Sequence, residues 1–503
     1  SNVLSQYSSS SIFNEKQMFD GLIREAKMSV LQEISQNVRN IKQLEYAALA
    51  RRATQIQKEL SQGVRKPYKE LTDVCWGDPH SLGVKPLTFV RQVLAACVYP
   101  ELMSSHKLPL DVRQRAQWLL GKCEGGSIGS YPASAGIPEI IQRMSKSIAR
   151  RDGGVPCNPE NVFISPGSQW SLTVTSLLLT SCVYAPLRTG ILIPVPCHVT
   201  TITSITSLGA AVVPYFLSEE HGWALQVEEL QRALESAKGG CNPIALYVIN
   251  PGNPAGYVQS RKSIQEVIRF ASEKRLVLLA DEVYQDCVYG KNSEFVSYKK
   301  VLAEMGPPFS DTVELASFHS VSKGFMGECG LRGGYVELVN LDPNVVNYIS
   351  NLNYDTTSVL AQFALDLMMN PPRPGDPSYP LYNQVRNAVN NMLVQNVKMA
   401  HEVVNSLPGL SCQPVEGGAF VFPRVFLPPR AIQKAKEEGM QPDTFYCMRL
   451  LEETGVLITP GCEYRQKEGT YHIRFCIMAS QDTINKALKH LATFHTKFMK
   501  DFS

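Results

Sequence analysis

Ser317-Phe-His-Ser-Val-Ser-Lys323-Gly-Phe-Met-Gly-Glu-Cys-Gly-Leu-Arg332-Gly-Gly-Tyr335 is an apolar, strand-like stretch that ends in hydroxyl side chains and a lysine. A second cation follows in a glycine-rich turn. Alone, a lysine among Ser and Gly is most often a solvated loop residue. The flanking pattern changes that reading. Strand candidates are Asn161–Ser165, Gly190–Pro194, Ile244–Ile249, Leu276–Ala280, Val313–Phe318 and Gly334–Val339. A helix over Ser263–Arg275 fits between two of them. This alternation, from about residue 105 to 385, predicts an α/β fold with a mostly parallel sheet wrapped by helices. Asn370-Pro-Pro-Arg-Pro-Gly-Asp-Pro reads as a loop, followed by a long helix over Tyr382–Ser406 and a mixed α+β segment.

The bulk composition narrows the function classes. With 503 residues and 44% hydrophobic side chains, the chain is long enough for a large core, and two lobes are expected. A net charge of +3 implies no strongly basic face, so a nucleic-acid partner is not expected. The 13 cysteines are scattered, with no CxxC pair and no Cys/His grouping at ligand spacing. That predicts free thiols, a reducing compartment and no metal site. No apolar run approaches the roughly 20 residues of a membrane span. The expectation is a soluble intracellular protein, cytoplasmic or of the mitochondrial matrix. The first residue is Ser rather than Met, which leaves a trimmed end and a missing targeting peptide open.

Ligands of α/β sheets sit at the carboxyl ends of strands, and the informative residues of this chain cluster there. Phe163-Ile-Ser-Pro-Gly167-Ser168-Gln169 reads as strand, tight turn and helix start, whose backbone N–H groups suit a phosphate. Asn250-Pro-Gly-Asn253-Pro-Ala-Gly256 is a stiff loop able to aim the Asn253 amide. Asp281-Glu282-Val-Tyr284 puts a carboxylate at the end of an apolar strand, where it is costly unless paired. Singly, these features are as well read as an ordinary βα turn, a rigid turn and a helix cap. Together with Lys323 they suit a Schiff base to pyridoxal 5'-phosphate. Asp281 would pair with the pyridine nitrogen, Tyr284 would donate to the phenolic oxygen, and Ser320, Ser322 and Arg332 would reach the phosphate.

These segments resemble the pyridoxal-phosphate aminotransferases of fold type I, most closely the alanine aminotransferases, over nearly the whole chain from about Tyr46 to Phe498. Leu427-Pro-Pro-Arg-Ala, Leu450-Leu-Glu-Glu-Thr-Gly455 and Glu468-Gly-Thr-Tyr-His-Ile-Arg474 are also similar to segments of that family. The resemblance implies a large domain at 106–385 with a mostly parallel seven-stranded sheet. It also implies a smaller α+β domain built from 386–503 and part of an N-terminal 1–105. It makes Lys323, Asp281 and Tyr284 catalytic, and gives the cofactor Gly167, Ser168, Gln169, Asn253, Asp281, Tyr284, Ser320, Ser322, Lys323 and Arg332. Arg474 would fork onto a substrate α-carboxylate. Tyr131, in Gly129-Ser-Tyr-Pro-Ala-Ser-Ala-Gly136, resembles a tyrosine that reaches the neighbouring subunit's phosphate, implying a homodimer with shared sites. The implied reaction moves an amino group from alanine or a related amino acid to 2-oxoglutarate.

The sequence departs from that family mostly on the substrate side. A Pro-Gln-Tyr-Pro-Leu-Tyr stretch, whose last tyrosine covers the pyridine ring, is Pro196-Cys-His198-Val-Thr-Thr201 here. Thr201 has no π face, which leaves His198 or Trp170 as substitutes. An Asn-Ile-Gly-Asp becomes Cys75-Trp76-Gly77-Asp78, and a Gly/Ser-rich loop becomes Pro460-Gly-Cys-Glu463-Tyr464-Arg465. An Arg-Leu-Cys-Pro-Pro is absent after Asn351-Leu-Asn-Tyr354-Asp355. These changes keep open a pyridoxal-phosphate enzyme that no longer transaminates, such as a decarboxylase, a lyase or an enzyme of specialised metabolism. A catalytically idle descendant is disfavoured by Lys323, Asp281 and Arg332 standing together.

Overall fold

The computed structural model describes residues 34–41, 44–180, 187–352 and 356–503. Tyr354 and Asp355 lie outside them. The central sheet has seven strands: β1 (Val162–Ser165), β2 (Thr189–Val195), β3 (Ala211–Phe216), β4 (Asn242–Ile249), β5 (Val277–Asp281), β6 (Leu315–Ser320) and β7 (Gly334–Val339). Their order is β1-β7-β6-β5-β4-β2-β3. All neighbours run parallel except β7, which is antiparallel to both β1 and β6. Strands β2 and β6 are buried at every position because helices cover both faces, which is why they read as continuous apolar runs.

Six of the seven strands match the expected ones to within two residues at every end. The exception is β3, which the sequence reading missed. It is the edge strand, its burial alternates, and it carries Pro214, a residue that edge positions tolerate. The helix expected over Ser263–Arg275 spans Arg261–Lys274. Ser260 Oγ caps it by accepting the Ser263 N–H, and Arg275 ends it in the left-handed conformation. The proline-rich loop separates helices Val359–Met369 and Tyr379–Ser406, the second starting one turn earlier than expected.

Two segments far apart in the sequence meet here. Thr72–Asp73 pairs in parallel with Val456–Leu457. Helix α1 (Tyr46–Ser61) lies against α2 (Pro442–Thr454), where Arg52 forks onto Glu452. Strand Ile473–Cys476 runs antiparallel to Phe420–Val421 on one side and Thr459–Pro460 on the other. Among the described residues, no helix is long and apolar enough to cross a membrane, and no cluster of His, Cys, Asp or Glu could hold a metal. The described cysteines are free thiols, most of them buried.

Candidate active site

Gly334 fixes how the site is built. It pairs with Ser165 at the end of β1 and with Ser320 at the end of β6. The Gly167 turn and the Lys323 loop therefore leave the sheet on either side of it. A Cβ on Gly334 would fall 2.5 Å from the backbone of Gly167 and Ser168, so only glycine lets the strands approach this closely. Gly167 itself has φ +100°, and a Cβ there would meet Arg332 Nη2 at 2.5 Å. Immediately after it, a helix spans Ser168–Leu179. A helix N-terminus, the Arg332 guanidinium and the Ser320–Ser322 turn thus come together around Gly334, a set of donors that suits a phosphate. In that turn the Ser322 N–H donates to Ser320 Oγ. The Lys323 loop is pinned at its neck by Val321 N–H to Gly333 O and Glu328 N–H to Val321 O, both 3.0 Å.

Beside this cradle lies a cavity of about 150 Å³ that brings together Ser168, Gln169, Asn253, Asp281, Tyr284, Lys323 and Arg474. Gly167, Ser320, Ser322 and Arg332 flank it around Gly334. Tyr131 does not line it and is 90% exposed. Asp281 sits on the last position of β5, where Oδ2 accepts from the Tyr247 hydroxyl at 2.8 Å and Oδ1 from the Val283 N–H at 3.3 Å. Burial pushes its carboxyl up to about 6, a rise held back by the Tyr247 bond, the Val283 N–H and the charge of Lys323. Among the described residues it forms no ion pair, so a cationic ring nitrogen is the partner it lacks.

The Asn253 amide donates to the Tyr284 hydroxyl at 3.2 Å. Burial holds the Tyr284 phenol well above its ordinary range, so it stays a proton donor. The Asn250–Gly256 loop is braced by Asn250 Oδ1, which accepts the Gln259 N–H. Lys323 Nζ donates to the Gly77 carbonyl at 2.7 Å. Arg474 is 1% exposed, with its guanidinium between the rings of Phe420 (3.7 Å to the centroid) and Tyr464 (4.4 Å). Its Nη1 donates to Asn253 Oδ1 and its Nη2 to the Cys75 carbonyl, while Nε is buried and, among the described residues, without a partner. A buried guanidinium with donor capacity to spare suits a carboxylate.

The structure refines the expectation at Thr201. Its hydroxyl is turned to the Tyr247 hydroxyl, 3.4 Å away, and so backs Asp281. His198, not Trp170, lines the cavity. Burial and the nearby Arg474 and Lys323 charges push the His198 imidazole down to about 3, so it is neutral. The Gln169 side chain is engaged with Ser204 and Thr200, which leaves its backbone to serve the turn. Sequence reasoning missed Tyr247 and Phe420. A tyrosine inside a buried strand needs a partner for its hydroxyl, and that was the one available signal for Tyr247. Phe420 sits in an apolar run with nothing to single it out.

The residues present therefore fit pyridoxal 5'-phosphate: a phosphate cradle, a buried carboxylate for the ring nitrogen, two donors for a phenolic oxygen, and a lysine. Comparison with known proteins agrees. Residues 94–491 match the family Aminotransferase class I and II. The chain is 48% identical over 468 residues to alanine aminotransferase 2 of Xenopus laevis, covering 92% of this chain and 86% of that protein. It is 47% identical over 480 residues to alanine aminotransferase 1 of Homo sapiens, covering 95% and 97%. An aminotransferase from Escherichia coli has the same fold, with TM-score 0.72 at 17% identity over 93% of this chain and 99% of that one. The chain belongs to the class I and II aminotransferases. It is an aminotransferase dependent on pyridoxal phosphate, the cofactor that family and fold both imply.

Proposed function

We propose that this enzyme moves the amino group of alanine, or of a related small amino acid, to 2-oxoglutarate. The observation that carries the reading is Arg474: a buried guanidinium, clamped between two rings, in the same cavity as Lys323. When bound, pyridoxal phosphate supplies an electron-withdrawing ring and a carbon that stores the amino group between two half-reactions. The chain's own residues do the rest. Arg474 grips the α-carboxylate and so fixes Cα. Lys323 Nζ is the group that removes the Cα proton from the donor and returns one to the acceptor. Asp281 keeps the ring nitrogen cationic, and Asn253 with Tyr284 holds the phenolic oxygen. Gly167, Ser168, Gln169, Ser320, Ser322 and Arg332 hold the phosphate.

The same reading includes a homodimer in which the exposed Tyr131 completes the neighbouring site, a division into 1–105, 106–385 and 386–503, and work in the cytoplasm or mitochondrial matrix. The identities to alanine aminotransferases support the choice of substrate. The test is to incubate holoenzyme with single amino acids and no acceptor. Alanine is expected to convert the cofactor to its amine form with release of pyruvate, and 2-oxoglutarate to reverse the conversion with release of glutamate. Product formed from alanine without that conversion, or no response to alanine when other amino acids react, overturns it.

A further inference from the structure

We infer that Trp76 determines specificity by selecting substrates on the girth of their side chains; the inference rests on the amino-acid reading above. The residue is held between the two cations of the site. The carbonyl before it, Cys75 O, accepts from Arg474 Nη2, and the carbonyl after it, Gly77 O, accepts from Lys323 Nζ, each at 2.7 Å. Arg474 takes the carboxylate and Lys323 serves Cα, so a bound amino acid lies along the segment from which the indole projects.

The indole also borders two cavities at once. It lines the 150 Å³ site and a neighbouring cavity of about 510 Å³ walled by Glu70, Asp73, Asp482 and Lys486. Among the described residues it is the only one that lines both. Its position is fixed from behind. The Tyr46 ring meets it edge-on at 5.3 Å, and the Tyr46 N–H is held at 3.1 Å by the buried carboxylate of Glu463. The backbone is fixed too: Cys75 N–H donates to Asp73 Oδ1, and Cys476 N–H to Val74 O. With 46% of its surface exposed, Trp76 stands as a partition between the two cavities, braced on its Tyr46 side and through its backbone. It leaves room for slim side chains such as those of alanine and glutamate, and closes off the space a branched or aromatic one needs.

Girth mismatches of this kind are worth roughly 10- to 200-fold in kcat/KM. In the wild-type holoenzyme, leucine and phenylalanine are expected at least about 10-fold below alanine. Trp76→Ala opens the site into the outer cavity and should raise the leucine-to-alanine and phenylalanine-to-alanine ratios by about 10-fold or more, with Trp76→Phe between. The glutamate-to-alanine ratio should stay level, because the outer cavity carries three carboxylates. A binding readout accompanies these rates: in calorimetry, 3-phenylpropanoate should gain affinity relative to propanoate in both variants. Should Trp76→Ala fail to fold, the wild-type series and Trp76→Phe decide alone. A wild type that takes phenylalanine as readily as alanine overturns the inference, and so do variants that change all substrates alike. If alanine is no substrate but other amino acids are, the proposed donor is wrong, while the ratios among those others still test Trp76.

Discussion

The Tyr247 hydroxyl donates to Asp281 Oδ2 at 2.8 Å, so a side chain inside the sheet sets how readily the carboxylate at its edge ionises. Burial raises Asp281 to about 6 from an ordinary 3.8, and Tyr247 is the strongest influence in the opposite direction. A cationic ring nitrogen selects the ionised form. Cofactor affinity is therefore expected to be full above about pH 6 and to fall below it, approaching tenfold per pH unit. Reconstitution titrations between pH 5 and 8 should show this break in the wild type and lose it in Asp281→Asn. Tyr247→Phe should move the break to higher pH. In cofactor-free protein the sign reverses. The folded state holds the proton more tightly than the unfolded one, so Asp281 favours folding at low pH, and that contribution is lost as pH rises through about 6. An Asp281→Asn protein with an unchanged break would show that another group titrates.

Lys323→Ala should abolish the visible absorbance of the imine and lower turnover by at least about 10²- to 10⁴-fold, the usual worth of a positioned acid–base group. Lys323 is partly exposed and, among the described residues, its side chain makes one hydrogen bond, to Gly77 O, so melting temperature should hardly move. Borohydride reduction of the wild type followed by peptide mapping checks the position. Label on any other peptide removes Lys323 from its role.

Arg474→Ala should weaken every substrate with an α-carboxylate. A charge-assisted hydrogen bond is worth about 1.5–3 kcal/mol, so each one lost costs at least about 10-fold in kcat/KM. Arg474→Lys should not rescue, because an ammonium keeps the charge but loses the planar fork. Removing the guanidinium also leaves Asn253 Oδ1 and Cys75 O without their donor, so some loss of stability accompanies it. An unchanged KM would mean that the carboxylate is read elsewhere.

Gly334→Ala should damage the phosphate cradle without removing a polar side chain. Its new methyl would press on the backbone of Gly167 and Ser168, which no rotamer change relieves. The expected cost is about 1–3 kcal/mol of stability, with weakened cofactor binding. Thermal denaturation and a titration with free cofactor would check both. Unimpaired cofactor affinity would place the phosphate outside this turn.

Much of this arrangement was legible in the sequence because it follows from strand ends. Asp281, Lys323 and the Gly167 turn each directly follow an apolar run, and the structure puts those run ends side by side. What stayed hidden depends on register across the sheet or on pairing between distant segments. Tyr247 is silent until β4 and β5 are aligned with Ile249 opposite Asp281. Phe420 matters only because its strand lies against the one carrying Arg474. The role of Thr201 turns on one hydroxyl: His198, which caps the helix, and Thr201 both line the cavity, but Thr201 gives its hydroxyl to Tyr247. Composition and spacing do not encode that partner.

The cavity draws on Gly77 near one end of the chain and Arg474 near the other, joined through the pairing of Thr72 with Val456. During synthesis the large sheet is complete long before that junction exists. Cofactor capture in its final form must therefore wait until the last strand has emerged. A polypeptide cut short before Ile473 would lack the Arg474 wall of this cavity.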